Sequence, residues 1–107
     1  MIEAFPFALP ALRLRETPTL LAFFHPDPSA PYHVLLVPRK PIRSLADLDP
    51  AADGAFLADL FAAVQSLVEE YRLPAYRLTV NGGDYQEFPY LHFHLLSDAQ
   101  GSHLQTR

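Results

Sequence analysis

The chain contains no cysteine. That absence removes a disulfide framework, a thiol nucleophile and any thiolate-based zinc site in one step. No apolar run approaches the roughly 18 residues of a membrane span. The apolar start "MIEAFPFALPALRL" has no basic lead and is interrupted by Pro6 and Pro10, so the expected location is cytoplasmic. Internal repeats and low-complexity segments are absent. Positive charge is scarce as well: 8 Lys and Arg stand against 12 Asp and Glu, a net charge of −4. No basic surface therefore advertises affinity for a nucleic-acid polymer or a membrane. What is present is an apolar half of the composition and 11 prolines. A chain of 107 residues is one domain (1–107) with a single core, near the size at which a partner subunit helps stability.

The prolines place most of the boundaries. Pro6 and Pro10 suggest an extended arm over 1–10. "ALRLRE" (Ala11–Glu16) alternates leucine with arginine, the period of a half-buried strand. Thr17-Pro18 turns the chain into "TLLAFF" (Thr19–Phe24), an apolar run that reads as a buried strand. "HPDPSAP" (His25–Pro31) is a loop, and "YHVLLVP" (Tyr32–Pro38) the next strand, stopped by a proline that cannot donate to a ladder. The period then changes. "SLADL" (Ser44–Leu48) reads as a short helical turn capped by Ser44, and Asp49 and Pro50 as N-cap and first residue of a longer helix. Phe56, Leu57, Leu60, Phe61, Val64, Leu67, Val68 and Tyr71 recur every three or four residues, giving one broad apolar face. The helix should end near Arg72, because Pro74 disfavours helix in the residue before it. "AYRLTVN" (Ala75–Asn81) and "YLHFHLLS" (Tyr90–Ser97) complete the strands around a Gly-rich loop, and a polar tail occupies 98–107. Three strands, a helix and two strands make an α+β protein, an antiparallel sheet with a helix on one face.

Chemistry concentrates in "FPYLHFHLL" (Phe88–Leu96). On a strand, Tyr90, His92, His94 and Leu96 share one face, and Leu91, Phe93 and Leu95 the other. A strand with only a packing role is better served by Val or Ile at 92 and 94, since buried imidazoles require hydrogen-bond partners. Three readings stand at this point. The histidines are satisfied core or surface residues. Or they are half of a metal site, with His33 or Asp84 as further ligands, although cysteine and closely spaced carboxylates are absent. Or they act in covalent catalysis at phosphorus, where a neutral imidazole attacks and its other nitrogen donates to an acceptor.

The run Tyr90-Leu91-His92-Phe93-His94-Leu95-Leu96 resembles the signature of the histidine-triad (HIT) family of nucleotide-binding hydrolases and transferases. That signature is His-φ-His-φ-His-φ-φ with φ apolar, and two of its three histidines and all four apolar positions match. "LAFFHPDPSAPYHVLLVPRKPI" (Leu21–Ile42) is similar to the family's strand–loop–strand block, and "YRLTVNGG" (Tyr76–Gly83) to the strand entering its phosphate loop. Gln86 precedes the first triad position by four residues, as in the nucleotide-binding branch. The resemblance runs from Thr19 to Leu96.

It implies a five-stranded antiparallel sheet with one long helix and a short helical turn. Two copies would pair through the long helix and the following strand, giving a homodimer with a ten-stranded sheet. It also implies a hydrolase or phosphoramidase acting at the α-phosphate of a purine nucleotide, as a nucleoside phosphoramidate or a dinucleoside polyphosphate. His92 would be the nucleophile, held at its other nitrogen by a backbone carbonyl of its own strand. His94 and His33 would surround the α-phosphate, Asn81, Gln86 and Tyr90 would supply further polar contacts, and Leu21 and Phe23 would flank the base. Neither a metal nor another cofactor would be needed. Four positions depart from the pattern. Tyr90 stands at the first triad histidine, and a phenol carries no positive charge near neutral pH. Glu87 stands where a small hydroxyl residue meets phosphate, and His25 where a carboxylate meets ribose, with Asp27 two residues on. The tail lacks the Trp-Pro ending of the nearest branch, though it holds His103. These changes spare the nucleophile and alter its surroundings. The alternative expectation is accordingly a catalytically weak nucleotide-binding or interaction protein on the same fold.

Overall fold

The computed structural model describes residues 12–98. The arm over 1–10, and the tail after residue 98 with His103, lie outside the described residues. Five strands form one sheet: β1 (Arg13–Glu16), β2 (Leu20–Phe24), β3 (Tyr32–Pro38), β4 (Arg77–Val80) and β5 (Phe93–Ser97). Their order is β1-β2-β3-β5-β4, and every neighbouring pair is antiparallel. The long helix α1 (Gly54–Tyr71) carries the chain from β3 past its neighbour to the far edge, and β5 returns to lie between β3 and β4. Short 3-10 turns occupy Leu45–Asp47 and Gly83–Tyr85. Among the described residues no helix is long and apolar enough to cross a membrane.

The continuous apolar run of β3 is explained by its surroundings, for all seven of its residues are buried. Such a pattern arises where both faces of a strand are covered. On one face Val34 and Leu36, with Leu20 and Ala22 of β2 and Phe93 and Leu95 of β5, pack under α1. On the other, Leu35 and Val37 join Leu21, Phe23 and Tyr90 in a second, smaller cluster. The helix turns Phe56, Leu60, Ala63, Val64, Leu67 and Tyr71 inward. Burying a side chain the size of Leu60 contributes about 1.5–3 kcal/mol. Phe61, which the periodicity puts on the apolar face, is instead 56% exposed. The stripe drawn by spacings of three and four is wider than the sheet beneath it.

Both ends of α1 are set locally. Asp49 Oδ1 accepts the amides of Ala51 and Ala52 at 3.0 and 3.3 Å, so Asp49-Pro50 does start a turn. Regular α-helix, however, begins only at Gly54, after Asp53 has closed that turn onto the Asp49 carbonyl. Asp53 does not cap with its side chain. Its carboxylate takes the Asp49 amide and the Lys40 ammonium, which holds it below the usual carboxylate range. At the other end Arg72 is left-handed at φ 53°, and the Leu73 amide returns to the Val68 carbonyl before Pro74. The helix is also tied to the β1–β2 turn: Thr17 and Thr19 both donate to Asp59 Oδ2, at 2.8 and 2.6 Å.

Candidate active site

The site lies at one end of the sheet, on the face away from α1. β2 and β3 form a hairpin in which Phe24 is opposite Val34, and the next amide, of His25, donates to the His33 carbonyl at 2.9 Å. His25 and His33 are thereby brought side by side, their rings stacked 4.4 Å apart. β5 pairs with β3 so that Leu35 is opposite His94 and His33 opposite Leu96, which sets His33 and His94 diagonally across the ladder. His92 stands just before β5, in a segment pinned to the end of β3. The Leu91 amide donates to the Ile42 carbonyl at 2.7 Å, and the Tyr90 hydroxyl to the Pro38 carbonyl at 2.7 Å. The rings of His92 and His94 are 5.1 Å apart and nearly perpendicular. All four described histidines therefore meet.

The hydrogen bonds fix which nitrogen of each ring carries a proton, because backbone amides only donate and carbonyls only accept. His92 Nδ1 lies 2.7 Å from the Tyr90 carbonyl. It must donate there, which leaves the lone pair of the neutral ring on Nε2. The Ser29 amide donates to His33 Nδ1 at 3.1 Å. His33 Nε2 then carries the proton and donates to His94 Nδ1 at 2.8 Å, so the proton of neutral His94 sits on Nε2. That atom is buried and has no hydrogen-bond partner. His25 Nδ1 accepts the Asp27 amide at 2.9 Å in the same way as His33. Burial, reinforced by the neighbouring imidazoles, pushes His33 and His94 down to about 4, so both are neutral at physiological pH. His25 is lowered too, chiefly by burial and against the pull of Asp27.

These rings open on a cavity of about 420 Å³, completed by Asp27, Ser29, Asn81, Glu87 and Phe88. Its volume is within the range of small-molecule sites. His33, Asn81, His92 and His94 all line this cavity. Four other expected contacts are placed elsewhere. Gln86 donates through its side-chain nitrogen to the carbonyls of Arg43 and Phe88, each at 2.7 Å, and lines an adjoining cleft. The Tyr90 hydroxyl is engaged by Pro38 and its ring is buried in the second cluster. Leu21 and Phe23 are 0% and 1% exposed in the same cluster and present no open surface to a ligand. Among the described residues, no group of three His, Asp or Glu side chains is arranged to hold a metal ion, and Asp84 is not among the residues lining the cavity. His25, which the resemblance sets where a carboxylate meets ribose but which was not counted among the ligand contacts, also lines the cavity. Its signal was the hairpin register, since the residue after Phe24 must face His33.

Comparison with known proteins converges on one family. The HIT domain model matches residues 7–101. A HIT-like protein of Azospirillum brasilense is 33% identical over 93 residues, covering 83% of this chain and 76% of that protein. An adenosine 5'-monophosphoramidase of Saccharomyces cerevisiae is 30% identical over 90 residues, covering 82% of this chain and 54% of the yeast protein. In three dimensions the chain superposes on a HIT family hydrolase from Legionella pneumophila Philadelphia 1 with a TM-score of 0.77 and 32% identity, covering 86% of this chain and 85% of the other.

Proposed function

This chain belongs to the HIT domain family, and on that footing we propose that it is a nucleotide-binding hydrolase of the phosphoramidase type, working through a nucleotidyl-His92 intermediate. The observation that carries the reading is the 2.7 Å bond from His92 Nδ1 to the Tyr90 carbonyl. It leaves a lone pair on Nε2 in a cavity where the His94 Nε2 proton has no protein acceptor. A nucleophile and a hydrogen-bond donor beside it are what attack on a phosphoryl group requires.

In this scheme His92 Nε2 attacks the α-phosphorus. The Nε2–P bond forms as the P–N bond to the departing amine breaks, and the amine leaves with a proton taken from water. His94 donates to a non-bridging phosphate oxygen, and His33 keeps His94 in the donating tautomer. Water then attacks phosphorus, the Nε2–P electron pair returns to His92, and a proton is released. The net change is one water consumed, with amine and nucleoside monophosphate produced. Tyr90 occupies the position of the first triad histidine and acts as a brace, and Asn81 contacts phosphate. We also propose pairing into a homodimer with a ten-stranded sheet through α1 and β4. In support, β4 is an edge strand, and Phe61 and Tyr76 near this surface are 56% and 54% exposed.

One observation favours a second reading, a nucleotide-binding protein with little turnover. Glu87 lines the cavity, and a carboxylate there opposes an incoming phosphate. Incubation with an adenosine 5'-phosphoramidate followed by mass spectrometry separates the two. An AMP adduct on His92, lost in His92→Asn, is expected. Saturable AMP binding with neither adduct nor turnover would sink the hydrolase reading in favour of the second.

A further inference from the structure

The walls of the histidine cavity carry an unusual charge for a phosphate site. Asp27 and Glu87 line it, and among the described residues no lysine or arginine does. His33 and His94 do not offset those carboxylates at neutral pH, because burial and the neighbouring imidazoles hold them neutral down to about 4. The fixed charge facing a ligand is therefore negative. Such a wall penalises each further negative charge a substrate brings and favours a positive one. A polyphosphate brings several negative charges to this wall, and a phosphoramidate joined through one α-phosphate brings one.

The second observation concerns where a departing group has room. Glu87 and Phe88 are shared between the histidine cavity and an adjoining cleft of about 360 Å³. The other walls of that cleft include Ser44 and Asp47, with Arg43 as its single cation among the described residues against the carboxylates of Asp47 and Glu87. Residue 87 thus stands at the passage between the reacting histidine and space for a substituent. Both cavities present a carboxylate at that passage, and it is the same one.

We infer that Glu87 is a specificity-determining residue that selects nucleoside phosphoramidates whose departing amine carries a second, cationic group. This rests on the phosphoryl-transfer reading of His92 and extends it to the class of leaving group. The departing substituent runs from the α-phosphate past Glu87 toward the adjoining cleft, and its ammonium pairs with the carboxylate on the way. Because Glu87 is exposed, the pairing is screened, and a selectivity of about tenfold is the expected scale.

Three adenosine 5'-phosphoramidates of matched length test this: those of hexylamine, 1,6-diaminohexane and 6-aminohexanoate, which end in a neutral, a cationic and an anionic group. The wild-type protein should rank them cationic, neutral, anionic in kcat/KM, with about tenfold between the extremes carried mainly by KM. In Glu87→Gln that spread should shrink below about threefold. A flat or reversed ranking in the wild type overturns the inference, as does a ranking that survives Glu87→Gln. A ranking that collapses in Asp27→Asn but not in Glu87→Gln overturns the assignment to residue 87. Calorimetric titration of the same compounds into His92→Asn reads the ranking in Kd. Absence of turnover for all three would thus refute the hydrolase reading, while the Kd order still decides the charge selection.

Discussion

Lowering the pH from neutral should destabilise the fold before any carboxylate is titrated. In the folded state His33 and His94 take up protons only at about 4, because burial penalises the cation and neighbouring imidazoles repel it. In the unfolded chain each does so at its ordinary value of about 6.5. Between those limits the unfolded state binds more protons, so stability falls as pH falls. The contribution is fully present above about 6.5 and is lost by about 4. At 1.36 kcal/mol per tenfold change in proton affinity, each histidine contributes at most about 3 kcal/mol. Both rings border a cavity open to water, and screening there reduces this to roughly half. The pair then contributes about 3 kcal/mol, a large share of the roughly 5–15 kcal/mol by which a domain is stable. Asp59, lowered by the Thr19 and Thr17 hydroxyls, and Asp53, lowered by Lys40, act in the same direction only as pH falls below 3.8. The histidine step is therefore separable from the carboxylate step. Urea unfolding followed by far-UV circular dichroism at intervals between about pH 7.5 and 4.5 should show the midpoint declining below about pH 6.5. A midpoint that stays level from pH 7 to 5 would refute the argument. So would a decline that persists undiminished in the double variant His33→Asn/His94→Asn.

Two further outcomes follow from single contacts. Tyr90→Phe should lower stability by about 1 kcal/mol, the usual net worth of a buried hydrogen bond, because the Pro38 carbonyl loses its donor. It should leave kcat within about threefold, and a much larger fall in kcat would place the phenol in the chemistry. Phe61→Lys, on the exposed side of α1, should convert a dimer into a monomer in analytical ultracentrifugation without changing the circular dichroism spectrum. An unaltered sedimentation coefficient would remove α1 from the proposed pairing surface.

How far the fold could be read from residues depended on whether local pattern alone decides the outcome. β2 and β3 were legible because apolar runs bounded by prolines have few alternatives; the observed strands are Leu20–Phe24 and Tyr32–Pro38. The last strand was expected from Tyr90 and begins at Phe93. The reason is that the Tyr90 carbonyl accepts from the His92 ring and the Leu91 amide turns to Ile42, so neither group joins the ladder. Gln86 was misplaced for a similar reason. The family resemblance puts it near the histidines, but a loop that folds back toward Arg43 captures its amide.

The polarity of the site is a different matter, for it is written in "HPDPSAP" and is visible only once the register is known. Pro26 and Pro28 have no amide hydrogen to give. The residues alternating with them, Asp27 and Ser29, donate their amides to His25 Nδ1 and His33 Nδ1. Each donation forces the ring proton onto Nε2, and through His33 it reaches His94 and leaves that ring's buried proton without a protein acceptor. The prolines limit which loop amides are available, the hairpin sets which rings receive them, and together they fix which way His94 donates. A composition count registers these residues only as loop formers. Their effect on the chemistry comes from the amides that remain between them.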